Sequence, residues 1–237
     1  MTISVVIPAY NEAATIEACL QALRQQTRQA DEIILVDNNS IDDTAHIARQ
    51  CGARVITEPQ QGIMPAAHAG YQHSTGDIIA RCDADSIVPV DWLQRIEQQL
   101  QAHPEAVAIT GPGTFYDTHW LVNWWAQVWY MYAYFISVGS AIAQWPLFGS
   151  NCAIRRTAWL KIADDVHRTR ADIHDDIDLS MHLSASSRVL FVPSLTVGIS
   201  ARSLRVSNLP SRYRKGLRSL SIHWPAQAPW QRWRQRL

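Results

Sequence analysis

Residues 3–12 read ISVVIPAYNE, a run over residues 3–7 that is apolar but for Ser4, stops at Pro8 and gives way to Asn11 and Glu12. An apolar run without alternation fits a strand buried on both faces, as in a parallel sheet covered by helices. The chain that follows repeats the pattern. Residues 12–26 place Ile16, Cys19, Leu20 and Leu23 at helical spacing, and residues 32–36 form a second buried run. Residues 42–51 read as a helix closed by Gly52. Residues 54–57, 77–80 and 106–110 read as further strands, and residues 89–101 as a helix with Pro89 near its start. This alternation predicts an α/β fold, a doubly wound, mostly parallel sheet with helices on both faces. Such sheets bind ligands beyond the carboxyl ends of their strands. The chemistry is therefore sought in residues 8–12, 37–40 and 83–85.

The chain has 237 residues, 47% of them hydrophobic and 18% charged, which suits a globular chain able to bury a core without staples. Net charge is zero, which argues against a polybasic nucleic-acid binder. The zero hides an asymmetry: ten of the 21 basic residues and none of the 21 acidic ones lie beyond Asp178. An acidic body with a basic tail points to an anionic partner for the tail, or to the body's own acidic face. Cys19, Cys51, Cys82 and Cys152 are widely spaced and form no CxxC pair, so neither a zinc site nor a disulfide framework is expected from them. Met1 is followed directly by a strand-like run, with no basic leader, which places the expected compartment in the cytoplasm.

After Pro112 the character changes. Between Asp117 and Arg155 there is no Asp, Glu, Lys or Arg, while Trp120, Trp124, Trp125 and Trp129 crowd one segment. Residues 121–143 are long enough to span a bilayer. Asn123, Gln127 and the Trp/Tyr content suit an interface better than a hydrocarbon core. Aromatic helices over residues 118–145 that lie on a membrane surface or line an apolar groove are the expectation, with a buried helix pair as the plain alternative. Beyond them, residues 175–185 read as a helix, 189–192 as a strand and 209–220 as a basic helix. Trp224, Trp230 and Trp233 alternate with Arg232, Arg234 and Arg236, a composition suited to peripheral contact with the inner face of a cell membrane.

Two acidic clusters carry chemistry. Asp83-Ala84-Asp85 follows a buried strand, where two carboxylates can converge on a hard divalent cation such as Mn²⁺ or Mg²⁺; helix capping is the simpler reading. Asp175-Asp176-Ile177-Asp178 gathers three carboxylates in four residues, which is costly unless a cation or a helix N-terminus is near. One of these carboxylates can act as a general base on an acceptor hydroxyl.

Residues 4–12, 36–44, 76–85, 148–156 and 175–179, in that order, resemble the family 2 glycosyltransferases of GT-A fold. The resemblance runs over about residues 2–205. It implies a GT-A domain over residues 1–205, with residues 1–111 as the nucleotide-binding half, residues 112–205 as an acceptor half forming a small extension, and residues 206–237 as a basic C-terminal segment. It implies inverting transfer of a sugar from a UDP- or GDP-linked donor, with a divalent metal, to a lipid-linked, otherwise apolar or glycan acceptor. Pro8, Ala9, Tyr10 and Glu12 would line the nucleoside pocket, Asp37 would bond the base, and Asn39 lies beside it. Asp83 would sit by the ribose and metal, Asp85 would ligate the metal, and Asp176 would be the base, with Asp175 as the neighbouring candidate. The family's Arg-Asn pair is replaced by Ala67-His68, which removes a usual diphosphate contact and leaves His68 as a partial substitute. Arg212, Arg214 and Lys215 are placed to meet a diphosphate or anionic lipid. A nucleotidyltransferase would show a Gly-rich basic loop where Pro8-Ala9-Tyr10-Asn11-Glu12 stands, and a nucleotide-sugar-binding protein without turnover is the non-enzymatic alternative.

Overall fold

The structure, a computed structural model, describes residues 1–204 and 209–237. The first half winds as the sequence predicts. Strand β1 (Ile3–Ala9) leads through helix α1 (Ile16–Arg24) to β2 (Glu32–Asp37), then through α2 (Thr44–Gln50) to β3 (Arg54–Thr57). Helix α3 (Ile63–His73) returns the chain to β4 (Ile78–Arg81), and α4 (Trp92–Ala102) leads to β5 (Ala106–Thr110). The second half comprises the short β6 (Gly113–Phe115), the helical segments α5 (Trp120–Ala126) and α6 (Ala133–Ile142), β7 (Cys152–Arg155), α7 (Arg156–Trp159) and α8 (Asp175–His182). Strands β8 (Arg188–Phe191) and β9 (Val197–Ile199) and helices α9 (Leu209–Ser221) and α10 (Pro229–Arg236) complete it.

Seven strands form one sheet in the order β3-β2-β1-β4-β7-β5-β8, and β6 pairs with β9 in a small second sheet. Only β7 runs against its neighbours in the large sheet. The chain winds outward from β1 to β3 and then crosses back to lay β4 on the other side of β1, which puts the switch point between β1 and β4.

Strand alternation divides the core into two layers. Ile3, Val5 and Ile7 of β1 pack with Leu20 of α1 and Ile96 of α4, whereas Val6 faces the opposite side with Tyr71 of α3 and Leu179 of α8. The sheet is therefore covered on both faces, and all seven residues of β1 are buried. This is why its sequence shows no polar alternation.

Residues 120–142 form a helical run with a π-helical turn, Gln127–Tyr132, between α5 and α6. Ala126, Met131 and Phe135 are buried. The five-residue step from Ala126 to Met131 is the spacing one π turn keeps on a single face. The other side is bare: Trp120, Trp124, Trp125 and Trp129 are each more than half exposed. Among the described residues, no helix is long and apolar enough to cross a membrane.

The C-terminal helices pack on the body. Arg232 is buried and donates to the carbonyl oxygens of Ile142 (2.6 Å), Met181 (2.9 Å) and Leu183 (3.1 Å). The expectation that Arg232 meets a membrane is corrected: it ties α10 to the ends of α6 and α8. Trp224 and Trp230 remain at least half exposed. Arg205 and the domain boundary read at residues 205–206 lie outside the described residues.

Candidate active site

A cleft of about 500 Å³ opens at the carboxyl ends of β1 and β4. Pro8, Ala9, Tyr10 and Glu12 line it from β1 and the following loop, and Asp83 and Asp85 line it from beyond β4. The antiparallel β7 brings its own start to the same place. Arg81 pairs with Cys152 in register, so Ser150 and Gly149 sit beside the end of β4. The Ser150 hydroxyl donates to the Asp83 carboxylate. Asp175 and Asp176 enter from the first turn of α8, where the helix dipole favours negative charge.

Asp37 and Asn39 do not line this cleft. Asp37 Oδ1 accepts the Ser40 backbone N–H (3.2 Å), and Asn39 Nδ2 donates to the Pro59 carbonyl (2.9 Å). Asn38, which sequence reasoning passed over, is the residue of this loop that reaches the cleft. It is buried, donates to the carbonyls of Glu58 (2.9 Å) and Gln60 (2.7 Å), and accepts the Gly62 N–H at 2.6 Å. Gly62 has φ +142°, a conformation that favours glycine at this entry to α3.

The structure places His68 on α3 against Trp159. Its ring packs edge-on to Trp159 at 5.3 Å, with Nε2 3.1 Å from the Ala163 carbonyl, and it does not line the cleft. Arg81, buried at the end of β4, is one of two arginines that line the cleft, the other being Arg212. One Arg81 guanidinium nitrogen bonds Asp175, and the other lies 3.4 Å from Asp83. Against the cost of burial, the Asp175 carboxylate holds Arg81 firmly in its charged form. Gly149 makes room for it, since a Cβ there would lie 2.9 Å from an Arg81 nitrogen.

The carboxylates are unequal. Asp175 is committed to Arg81. Asp176 Oδ2 accepts the Gly149 N–H at 3.4 Å and Oδ1 accepts the Ile177 N–H at 2.8 Å. Burial first, and the Asp175 charge second, hold the Asp176 carboxyl above its ordinary value, which suits a proton acceptor. Burial likewise raises Asp85, against the pull of Arg202. Arg202 Nη2 bridges Asp85 (2.7 Å) and Glu12 (2.8 Å).

Asp83 and Asp85 offer hard oxygen donors in a cleft rich in carboxylate, and a raised Asp85 carboxyl is one that a divalent cation would favour in its ionised form. The donor set fits Mn²⁺ or Mg²⁺. A second, apolar groove of about 550 Å³ adjoins the cleft, walled by Tyr130, Met131, Val138, Ile177, Leu217 and Leu220. The two cavities share Phe148, His174, Asp176 and Arg212.

Residues 4–162 match the family described as Glycosyl transferase family 2, and the chain belongs to that family. It is 40% identical over 101 residues to glycosyltransferase AglE of Haloferax volcanii, covering 39% of this chain and 33% of that one. It is 26% identical over 214 residues to an undecaprenyl-phosphate 4-deoxy-4-formamido-L-arabinose transferase of Pseudomonas fluorescens, covering 86% of this chain and 56% of that one. The chain thus spans a third to just over half the length of these relatives. Among solved structures it resembles glucosyl-3-phosphoglycerate synthase of Mycobacterium tuberculosis in complex with Mn²⁺, UDP and glucosyl-3-phosphoglycerate. The TM-score is 0.65 at 21% identity, over 93% of this chain and 79% of that one. It also resembles a Pyrobaculum calidifontis mannosyltransferase in complex with GDP-Man and Mn²⁺, with TM-score 0.64 at 20% identity, over 84% of this chain and 56% of that one. At such identities the likeness speaks for the GT-A fold, whose mostly parallel sheet this chain shares.

Proposed function

We propose that the chain transfers a sugar, with inversion, from a nucleotide-diphosphate donor to a hydroxyl borne on an apolar or lipid-linked acceptor. The observation that carries this reading is the meeting of a polar cleft and an apolar groove at one carboxylate, Asp176. Pro8, Ala9, Tyr10, Glu12 and Asn38 hold the nucleoside side of the donor. Asp83 and Asp85 would hold the divalent metal, which would supply positive charge to the leaving diphosphate. Arg212, whose guanidinium lies 5.7 Å from the Tyr130 ring centre, stands at the junction where donor and acceptor meet. Asp176 takes the acceptor's proton as its oxygen attacks the anomeric carbon from the face opposite the diphosphate. One displacement inverts the centre and needs no covalent sugar–enzyme intermediate. The mannosyltransferase and synthase complexes with nucleotides and Mn²⁺ support the classes of donor and metal, and the undecaprenyl-phosphate transferase supports the lipid character of the acceptor.

The test is a transfer assay with UDP- and GDP-sugars, Mn²⁺, and alkyl glycosides of increasing chain length. Each methylene buried in the groove is worth about 0.8 kcal/mol, close to fourfold in KM, until the groove is filled. Transfer by wild type is expected to require Mn²⁺, and Asp85→Ala is expected to abolish donor-dependent thermal stabilisation by the metal. A KM independent of chain length overturns the apolar acceptor. Full activity of Asp85→Ala across a Mn²⁺ titration overturns the metal assignment.

The exposed Trp120, Trp124, Trp125 and Trp129 support peripheral seating on a membrane, where indole rings favour the headgroup level. Flotation with anionic liposomes is expected to recover the protein in the lipid fraction, with salt reversing only the electrostatic share of binding. Replacing Trp124 and Trp129 by Ser is expected to weaken the salt-resistant share. Unchanged flotation in that variant counts against this face.

A further inference from the structure

Among the described residues, one group of ligating side chains gathers away from the donor cleft: His167, Asp178, His182 and His223. They come from three parts of the chain, namely the segment before α8, α8 itself and the segment after α9. The Asp178 side chain is fully buried, and those of His182 and His223 are 10% and 5% exposed. His167 Nδ1 and His223 Nε2 both address Asp178 Oδ1, at 2.7 and 3.1 Å, and His182 Nδ1 lies 3.6 Å from Oδ2. One potential ligand atom from each residue lies within 4.8 Å of the others.

The three imidazoles are arranged about a common point. Their ring centres are 5.3, 5.3 and 4.9 Å apart, with interplanar angles of 73°, 59° and 77° for the His167–His223, His167–His182 and His182–His223 pairs. Imidazoles on one tetrahedral zinc ion, with Zn–N near 2.0–2.1 Å, hold their ring centres about 5.2 Å apart. The buried carboxylate meets two imidazoles, and His182 Nδ1 bonds the Asp178 backbone carbonyl at 2.8 Å, which leaves His182 Nε2 as its ligand atom. We propose that these four residues form a second metal site, a closed His₃Asp site for Zn²⁺, separate from the cation position at Asp83 and Asp85.

The donor sets sort the two ions. Imidazole nitrogens favour zinc, while the all-oxygen pair of the cleft favours Mn²⁺ or Mg²⁺. Four protein ligands leave no open position, so the role is structural. Asp178 lies two residues after Asp176, and His223 follows the helix that carries Arg212, Leu217 and Leu220. An ion here would clamp the helix bearing the proposed base to the helix that walls the acceptor groove. The four cysteines take no part.

The experiment uses the full chain, stripped with a chelator, loaded with Zn²⁺ and dialysed against excess Mn²⁺. Elemental analysis is expected to find one zinc per chain, with a raised melting temperature. Co²⁺ in place of zinc is expected to give the intense visible bands of a tetrahedral site. His167→Gln with His223→Gln is expected to lose both the zinc and the bands, and Asp83→Ala with Asp85→Ala to keep them. No zinc retained by wild type, or no tetrahedral cobalt spectrum, overturns the proposal. So does zinc that persists in the histidine variant or disappears from the Asp83 and Asp85 variant. The cobalt spectrum is read on wild type, so a histidine variant that fails to fold does not protect the proposal.

Discussion

Asp176→Asn is expected to lower sugar transfer by about 10²–10⁴-fold, the range for losing a general base, while donor affinity stays near that of wild type. In activation free energy that is about 2.7–5.5 kcal/mol. The substitution keeps the shape. The asparagine oxygen can still accept the Ile177 or Gly149 N–H, so the first turn of α8 need not move. What is lost is the capacity to take a proton at the junction of the two cavities. Asp175→Asn is expected to behave differently, because Asp175 is bound to Arg81 and its loss changes the cleft floor. Steady-state transfer rates and calorimetric donor binding on both variants separate the roles. A dead Asp175→Asn beside an active Asp176→Asn moves the base by one residue.

The uneven legibility of this site in the sequence has a physical origin. Residues 3–7 mark a strand because burial on both faces leaves a run broken only by Ser4, and the loops after β1 and β4 follow from that reading. Strand β7 is not legible in the sequence because its antiparallel insertion between β4 and β5 is a long-range event. Yet β7 delivers Gly149 and Ser150 to the cleft. The resemblance assigns nucleotide contacts to Asp37 and Asn39, while the residue of that turn that lines the cleft is Asn38. Arg81 falls just past the strand read over residues 77–80 and carries no signal of its own in the sequence. Its importance lies in two carboxylates, one of them 94 residues away along the chain. The histidine cluster is similar: Asp178 and His182 show helical i, i+4 spacing, but His167 and His223 join them only through folding.

Arg81→Leu is expected to destabilise the fold by about 3–5 kcal/mol, the cost of removing one partner from a buried ion pair. The Arg81 side chain is 4% exposed and that of Asp175 is 14% exposed. Leucine fills much of the same space and removes the Arg81 Nε, which finds no partner among the described residues. Packing is therefore not the source of the loss. It comes from Asp175, left charged and enclosed next to Asp176, with Asp83 losing its ion pair to Arg81 as well. Asp175→Asn in the Arg81→Leu background removes that uncompensated charge and is expected to recover a large part of the stability. The double-mutant coupling should fall in the upper part of the 0.5–3 kcal/mol range typical of residues in contact. Urea unfolding midpoints of wild type, both single variants and the double variant complete the cycle. Mn²⁺ adds a second reading. If Arg81 offsets the repulsion among the cleft carboxylates, a divalent cation at Asp83 and Asp85 should raise the midpoint of Arg81→Leu more than that of wild type. Equal midpoints for Arg81→Leu and wild type, or no added response to Mn²⁺, would mean that the floor of the cleft does not depend on this guanidinium.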